Sequence, residues 1–261
     1  MLLTRVDTRH EPRDPKLISS YQSIVGGLNY AACNTRPDIT FTVGLLSRVM
    51  SCPTPAALDA ALRCVRYLGA HRDLGLFYER SAAPVIGHVD SDWAVQHSTS
   101  GFVFNFCKAA VTWSSKKQKS VALSSCEAEI VAASEAAKEA VYLRGFLREL
   151  GEHDDSSIEV RMDNKAARDL AYNPEHHEKT KHIDRRHFFV REQVEEGTIV
   201  VPYVNTHDNI ADFFTKPLPK SAFRAFRDVI MNVPVDLFQS GRCQSGVALS
   251  ATGGVLDGPT G

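Results

Sequence analysis

Two short apolar segments each end on an aspartate, and they constrain the chain more than any other feature. Val85-Ile-Gly-His-Val-Asp90 and Ile158-Glu-Val-Arg-Met-Asp163 are strand-length and rich in β-branched residues, and the first follows Pro84. A strand that buries its apolar residues and ends on a carboxylate carries an ionisable group to a sheet, where an uncompensated charge is expensive. In the second segment, Glu159, Arg161 and Asp163 alternate with the core residues Val160 and Met162. The sheet is extended by Phe102, Phe104 and Phe106, which alternate with Val103, Asn105 and Cys107, and by Val111-Thr-Trp113.

Helices surround this pattern. Ser124 caps a long amphipathic helix, with Glu127 three residues on as the partner in a capping box; Ile130, Ala133, Ala137 and Val141 form its apolar stripe, and Gly151 ends it. A short helix over Asn164–Tyr172, a helix–strand pair over Ile183–Glu196 and Thr198–Val204, and a terminal helix from Ile210 follow. The order of three strands, helix, strand, two helices, strand and helix predicts a mixed α/β sheet with helices on its faces. Ahead of it, Ile24, Leu28 and Ala31, then Ile39, Val43 and Leu46, then Leu58, Leu62, Val65 and Leu68 recur with helical spacing. Thr54-Pro55 opens the last of these helices and Gly69 closes it. Residues 1–17, with Pro12 and Pro15, read as a flexible lead-in, 18–80 as a helical module, 81–234 as the α/β domain, and the Gly/Ser-rich 235–261 as a disordered tail.

Four carboxylates stand where a sheet-based site would use them. Asp90 and Asp163 end strands, Glu129 lies in the first two turns of the long helix, and Asp212 opens the terminal helix, where the macrodipole favours an anion. Asp92 competes with Asp90, and Glu127 with Glu129; Asp92 falls past the strand end and Glu127 is engaged in the capping box. Two charges about 4 Å apart repel by about 4 kcal/mol at an effective dielectric near 20, so four converging carboxylates need cations. Two Mg²⁺ ions about 3.5–4 Å apart supply them and can bridge a scissile phosphate.

The chain has 30 Lys+Arg against 31 Asp+Glu, a net charge of −1, so nucleic acid has to be held by local basic surface. Lys116, Lys117 and Lys119 form one candidate patch, and Lys179, Lys181, Arg185 and Arg186 a second. His176, His177, His182 and His187 interleave with the second patch, but their spacing fits no standard zinc site and no cysteine is close in sequence. Six scattered cysteines without a C-x-x-C pair, and no run of signal-peptide or membrane-span length, point to a reduced intracellular location.

At these residues the sequence resembles the ribonuclease H domain of copia-type LTR-retrotransposon Pol polyproteins. The likeness is carried by Val89-Asp-Ser-Asp-Trp-Ala94, Ser98-Thr-Ser-Gly-Phe-Val-Phe104, the stretch from Trp113 to Glu129, Met162-Asp-Asn-Lys-Ala-Ala167, Thr180-Lys-His-Ile-Asp184 and Ile210-Ala-Asp-Phe-Phe-Thr-Lys-Pro-Leu218. The preceding helical segment, with Gly26-Gly-Leu-Asn-Tyr30 and Thr35-Arg-Pro-Asp-Ile39, is similar to the piece that links polymerase thumb to ribonuclease H.

The resemblance implies a ribonuclease H-like mixed five-stranded sheet and a metal site of Asp90, Glu129, Asp163 and Asp212. It also implies Mg²⁺, with Mn²⁺ as substitute, and His207 as a residue assisting product release. The implied activity is endonucleolytic cleavage of the RNA strand of an RNA–DNA hybrid, alongside the polymerase part of the same polyprotein, in a cytoplasmic particle or the nucleus. Relative to that family the turn between Trp93 and Ser98 is short. Two rival readings are a nucleic-acid-binding remnant without catalysis and an integrase-type transferase. The latter places its glutamate after the second aspartate, whereas Glu129 precedes Asp163.

Overall fold

In a computed structural model, the described residues are 14–94, 98–152, 156–172 and 181–235, without the side chains of 181–185 and 187. The first described element is helix α1 (Pro15–Asn34), so residues 15–17, expected in the lead-in, are helical. Pro15 is the first helical residue, where its missing N–H would have had no partner anyway, and Asp14 caps the end by accepting from the Lys16 amide at 2.9 Å. A 3-10 turn (Pro37–Ile39) leads to α2 (Thr40–Ser47), and Thr54 caps α3 (Pro55–Ala70) by accepting from the Ala57 amide at 3.2 Å. Gly69 lies inside the last turn of α3 rather than beyond it.

These helices share a core of Tyr21, Val25, Leu28 and Ala32 with Ile39, Val43 and Leu46 and with Ala57, Ala61 and Cys64. Leu62 and Val65, expected inside, are exposed. The face of α3 that meets α1 and α2 is the small-residue face, which hydropathy ranks below leucine and valine but which permits close helix packing. Trp113 ties the module to the sheet: its indole N–H donates to the Ala32 carbonyl at 2.8 Å.

The sheet contains β1 (Ile86–Asp92), β2 (Thr99–Phe106), β3 (Ala109–Lys117), β4 (Ile158–Arg161) and β5 (Ile199–Val200) in the order β3-β2-β1-β4-β5. β1–β2 and β2–β3 are antiparallel, while β1–β4 and β4–β5 are parallel. On one side α4 (Ser125–Glu149), α5 (Lys165–Tyr172) and α6 (Lys181–Glu195) cover Val89, Phe102, Phe104, Val160 and Met162. Val103 and Ala110 are buried instead with Phe213, Phe214, Ile230 and Met231, the last two from α7 (Lys220–Met231). Val141 is exposed, and Ala140 and Leu143 continue the α4 stripe in its place. A strict four-residue step from Ala137 overshoots the 3.6-residue period by enough to turn residue 141 outward.

The β2–β3 turn places Cys107 (φ 52°) and Lys108 (φ 70°) in the left-handed region. Neither residue is suited to it, whereas Asn-Gly is. Replacing Cys107-Lys108 by Asn-Gly should raise stability by about 1 kcal/mol, read from urea unfolding.

Candidate active site

Strand β1 runs two residues further than the sequence indicated, so Asp92 is its last residue and Asp90 lies inside it, opposite Gly101 of β2. Asp90 is 3% exposed, whereas Asp92 is exposed at the rim. Glu129, on the second turn of α4, is buried and accepts from the Ser91 amide at 3.3 Å through Oε1. Its other oxygen, Oε2, is buried without a hydrogen-bond partner. Glu127 accepts at 2.7 Å from the Leu123 amide while the Glu127 amide donates to Ser124 Oγ at 3.1 Å, a helix cap that occupies this carboxylate away from the cluster. Asp163 follows Met162, whose bridge to Tyr203 extends the β4 line, and is half-buried. Ligand oxygens of Asp90, Glu129 and Asp163 lie within 4.8 Å of one another.

Asp212 reaches the site differently from expectation. It sits in a 3-10 turn (Ile210–Phe214), not in the first turn of the terminal helix. Pro217 and Pro219 interrupt the chain, and α7 starts only at Lys220, so Asp212 is the first-turn acid of the 3-10 turn and not of the terminal helix. Asn209, fully buried, fixes the turn: its Oδ1 accepts from the Ala211 amide at 3.2 Å and its Nδ2 donates to the Val89 carbonyl at 3.0 Å. Thr215 donates a very short hydrogen bond to Asp90 Oδ2. Lys216 Nζ lies 2.7 Å from Asp212 Oδ1. Asn209, Thr215 and Lys216 are functional residues that the sequence patterns do not single out, although a capping amide, a hydroxyl and a cation flank one aspartate there.

Burial dominates the electrostatics. It pushes the Asp90 carboxyl up to about 7, assisted by the charges of Asp212 and Asp163 and opposed by the Thr215 hydrogen bond and by Lys216. Burial, then Asp90 and Asp163, hold Glu129 well above the carboxylate range, and burial raises Asp212. Burial pulls the Lys216 ammonium down, but Asp212, Asp90 and Asp163 together keep it above its ordinary value. A carboxyl raised on folding binds more protons folded than unfolded, so its contribution to stability falls as pH rises through the folded value. His88, buried and lowered by that burial to about 4, acts oppositely but only below about pH 6.5. Without divalent ions, the melting temperature should therefore drop by roughly 5 °C from pH 6.5 to pH 8. Saturating Mg²⁺ should abolish the drop, as read by scanning calorimetry in EDTA and in Mg²⁺.

Gly101 permits the close approach of these parts. A Cβ there would meet Phe214 Cβ and Thr215 Cγ2, each at 2.7 Å. Gly101→Ala should push the 210–215 segment off β2, costing about 2 kcal/mol of stability in urea unfolding.

The register sets Lys116 and Lys117 across from Ser100 and Thr99, which pair with Ser91 and Asp92, so both lysines share the acidic end of the sheet. Both are exposed, as is Lys119. Arg186 donates to Ser120 Oγ at 3.3 Å, which joins its part of the second basic patch to the first. Lys179, His176 and His177 lie outside the described residues, and the side chains of Lys181, Arg185, His182 and His187 are likewise not described. His207 is exposed on the 3-10 turn Thr206–Asp208. Of the short turn, residues 95–97 lie outside the described residues, but β1 and β2 remain in register up to Asp92 and Thr99.

The described sheet and helices form a ribonuclease H-like fold with an acidic cluster on it. In sequence the chain is similar to a segment of the Pol polyproteins of copia-type transposons. It is 38% identical over 214 residues to the retrovirus-related Pol polyprotein from transposon TNT 1-94 of Nicotiana tabacum, a match covering 80% of this chain and 16% of the polyprotein. It is 37% identical over 217 residues to that from transposon RE1 of Arabidopsis thaliana, covering 81% and 15%. The chain thus spans about a sixth of the polyproteins it matches. A shorter relative, named secreted RxLR effector protein 161 of Plasmopara viticola, is 44% identical over 128 residues, 47% of this chain and 90% of that protein. No protein-family model matches the sequence. Among solved structures, the chain is similar to a foamy viral protease-reverse transcriptase in complex with RNA/DNA hybrid, at 15% identity and TM-score 0.47 over 96% of this chain and 29% of that one. It is also similar to LC11-RNase H1 in complex with RNA/DNA hybrid, at 17% identity and TM-score 0.40 over 51% and 94%. Among the described residues no helix is long and apolar enough to cross a membrane.

Proposed function

We propose that this segment is a metal-dependent ribonuclease H that hydrolyses the RNA strand of RNA–DNA hybrids. The observation that carries the reading is the convergence of Asp90, Glu129 and Asp163 within 4.8 Å, with Glu129 Oε2 buried and unpartnered. Carboxylate oxygens alone are the donor set of a hard cation such as Mg²⁺ or Mn²⁺, and an orphaned buried oxygen calls for one. Asp90, Glu129, Asp163 and Asp212 would hold two such ions. When bound, these ions supply an activated water, in-line attack at phosphorus, and stabilisation of the leaving 3′ oxygen.

The protein's own part is to fix the ligands. Ser91 orients Glu129, Thr215 holds one oxygen of Asp90, and Asn209 clamps the Asp212 turn to β1. Lys116, Lys117, Lys119 and Arg186 offer charge to phosphates beside the cluster, and selection of RNA would rest on backbone shape and the 2′-hydroxyl. His207, exposed near this end, would assist product release. The polymerase part of the same polyprotein is the natural neighbour of such an activity.

The test is incubation of the chain with end-labelled RNA–DNA hybrid, single-stranded RNA and double-stranded DNA, in Mg²⁺, Mn²⁺ and EDTA. Cutting confined to the RNA of the hybrid, and lost in EDTA, is expected. Hybrid binding without cutting would favour a second reading, a nucleic-acid-binding remnant. A short relative not named a Pol polyprotein, 90% of which this chain covers, shows that part of this sequence also occurs outside such polyproteins.

A further inference from the structure

The lysine inside the acidic site is left over by this account. Lys216 Nζ lies 2.7 Å from Asp212 Oδ1, and Asp212 is absent from the close group formed by Asp90, Glu129 and Asp163. The two partners differ in freedom. The Asp212 side chain is 9% exposed on a turn fixed by Asn209, whereas the Lys216 side chain is 35% exposed on a flexible four-carbon stem. Outside the pair stands a second carboxylate, Asp92, exposed at the end of β1 and under the charge of both Lys216 and Arg48. Arg48 comes from the helical module and donates to Thr99 Oγ1 at 3.1 Å, so its position is set.

We propose that Lys216 is a tethered counter-cation for the fourth carboxylate: it holds Asp212 while no ion is bound there and swings toward Asp92 to release Asp212 as a ligand. This rests on the divalent-metal reading of the site. It gives Asp92 a role that metal ligation does not, as the acceptor for the displaced ammonium. The free chain then takes one ion readily at Asp90, Glu129 and Asp163, and a second only in competition with its own lysine.

The competition is read by calorimetric titration of the full chain with Mn²⁺ at fixed ionic strength, without nucleic acid. Lys216→Met should tighten the second ion about tenfold, since a unit charge held beside its ligand has been removed. Lys216→Gln, which keeps a polar head without charge, should do the same and guards against a folding failure of the first variant. Asp92→Asn should weaken the second ion, because the lysine has lost its alternative partner. Unchanged or weaker second-ion binding in both Lys216 variants, beside normal first-ion binding, would overturn the counter-cation role and leave the metal site standing. Absence of any Mn²⁺ binding in the wild type would overturn both.

Discussion

Asp163→Asn should lower the rate of hybrid cleavage by about 10³-fold, the several kcal/mol of transition-state stabilisation that a correctly held ion supplies. Among the four carboxylates this one offers the cleanest substitution. Asp90, Glu129 and Asp212 are all at least nine-tenths buried, and each is engaged with a neighbour whose position would change with it: Thr215, the Ser91 amide and Lys216. Asp163 is half-buried beyond the last bridge of the β4 line. Its charge also raises the carboxyls of Asp90, Glu129 and Asp212. Neutralising it relieves repulsion, so the metal-free melting temperature should stay equal or rise while activity is lost. Gel-resolved cleavage kinetics, paired with calorimetry in EDTA, separate the two effects. Cutting at the wild-type rate would remove Asp163 from the ligand set.

Asp38→Ala should cost about 3–5 kcal/mol of stability, the largest effect expected outside the acidic site. The Asp38 side chain is wholly buried and takes both prongs of the Arg36 guanidinium, Nε at 2.9 Å and Nη2 at 2.7 Å. Tyr67 of α3 donates to the same carboxylate at 2.7 Å, and Arg36 Nη1 reaches the His71 carbonyl at 3.0 Å. Removal of the carboxylate leaves a buried cation with one partner fewer on each prong and takes from the Tyr67 phenol its acceptor, leaving Arg227 as its neighbour. Asp38→Asn, which keeps an acceptor, should lose less. Urea unfolding gives both values, and a loss under 1 kcal/mol for Asp38→Ala would mean that Arg36 is satisfied elsewhere.

This cluster also marks how far the sequence could be read. Thr35-Arg-Pro-Asp-Ile39 was visible as a motif, but its partner Tyr67 lies 29 residues on, and only the packing of α3 against the turn brings them together. The order of strands and helices was legible because local rules agree there. The aspartate-ended strands, the Ser124 cap and Gly151 at φ 74° after α4 each point to one element. Where two local rules compete, the sequence alone does not decide the element. Pro15 fits a flexible lead-in as well as a helix start, and it opens α1; Asp212 precedes a helical stretch that two prolines postpone to Lys220. Hydropathy favours Leu62, Val65 and Val141 inside, yet Ala57, Ala61 and Cys64 fill the α3 interface, and Ala140 and Leu143 that of α4. Of the site, strand and helix position indicated the acidic groups. Lys216 and Thr215 gain their meaning from how the 210–215 segment lies against Gly101, a contact between residues more than a hundred positions apart.

On the proposed function, Asp90, Glu129 and Asp163, with Asp212, would hold divalent ions. Anomalous diffraction from crystals of the chain soaked in Mn²⁺ addresses it most directly. The expected result is a peak at about 2.0–2.6 Å from oxygens of Asp90, Glu129 and Asp163, with Glu129 Oε2 among the ligands. A soak that saturates exposed carboxylates but leaves no peak between these three residues would contradict it.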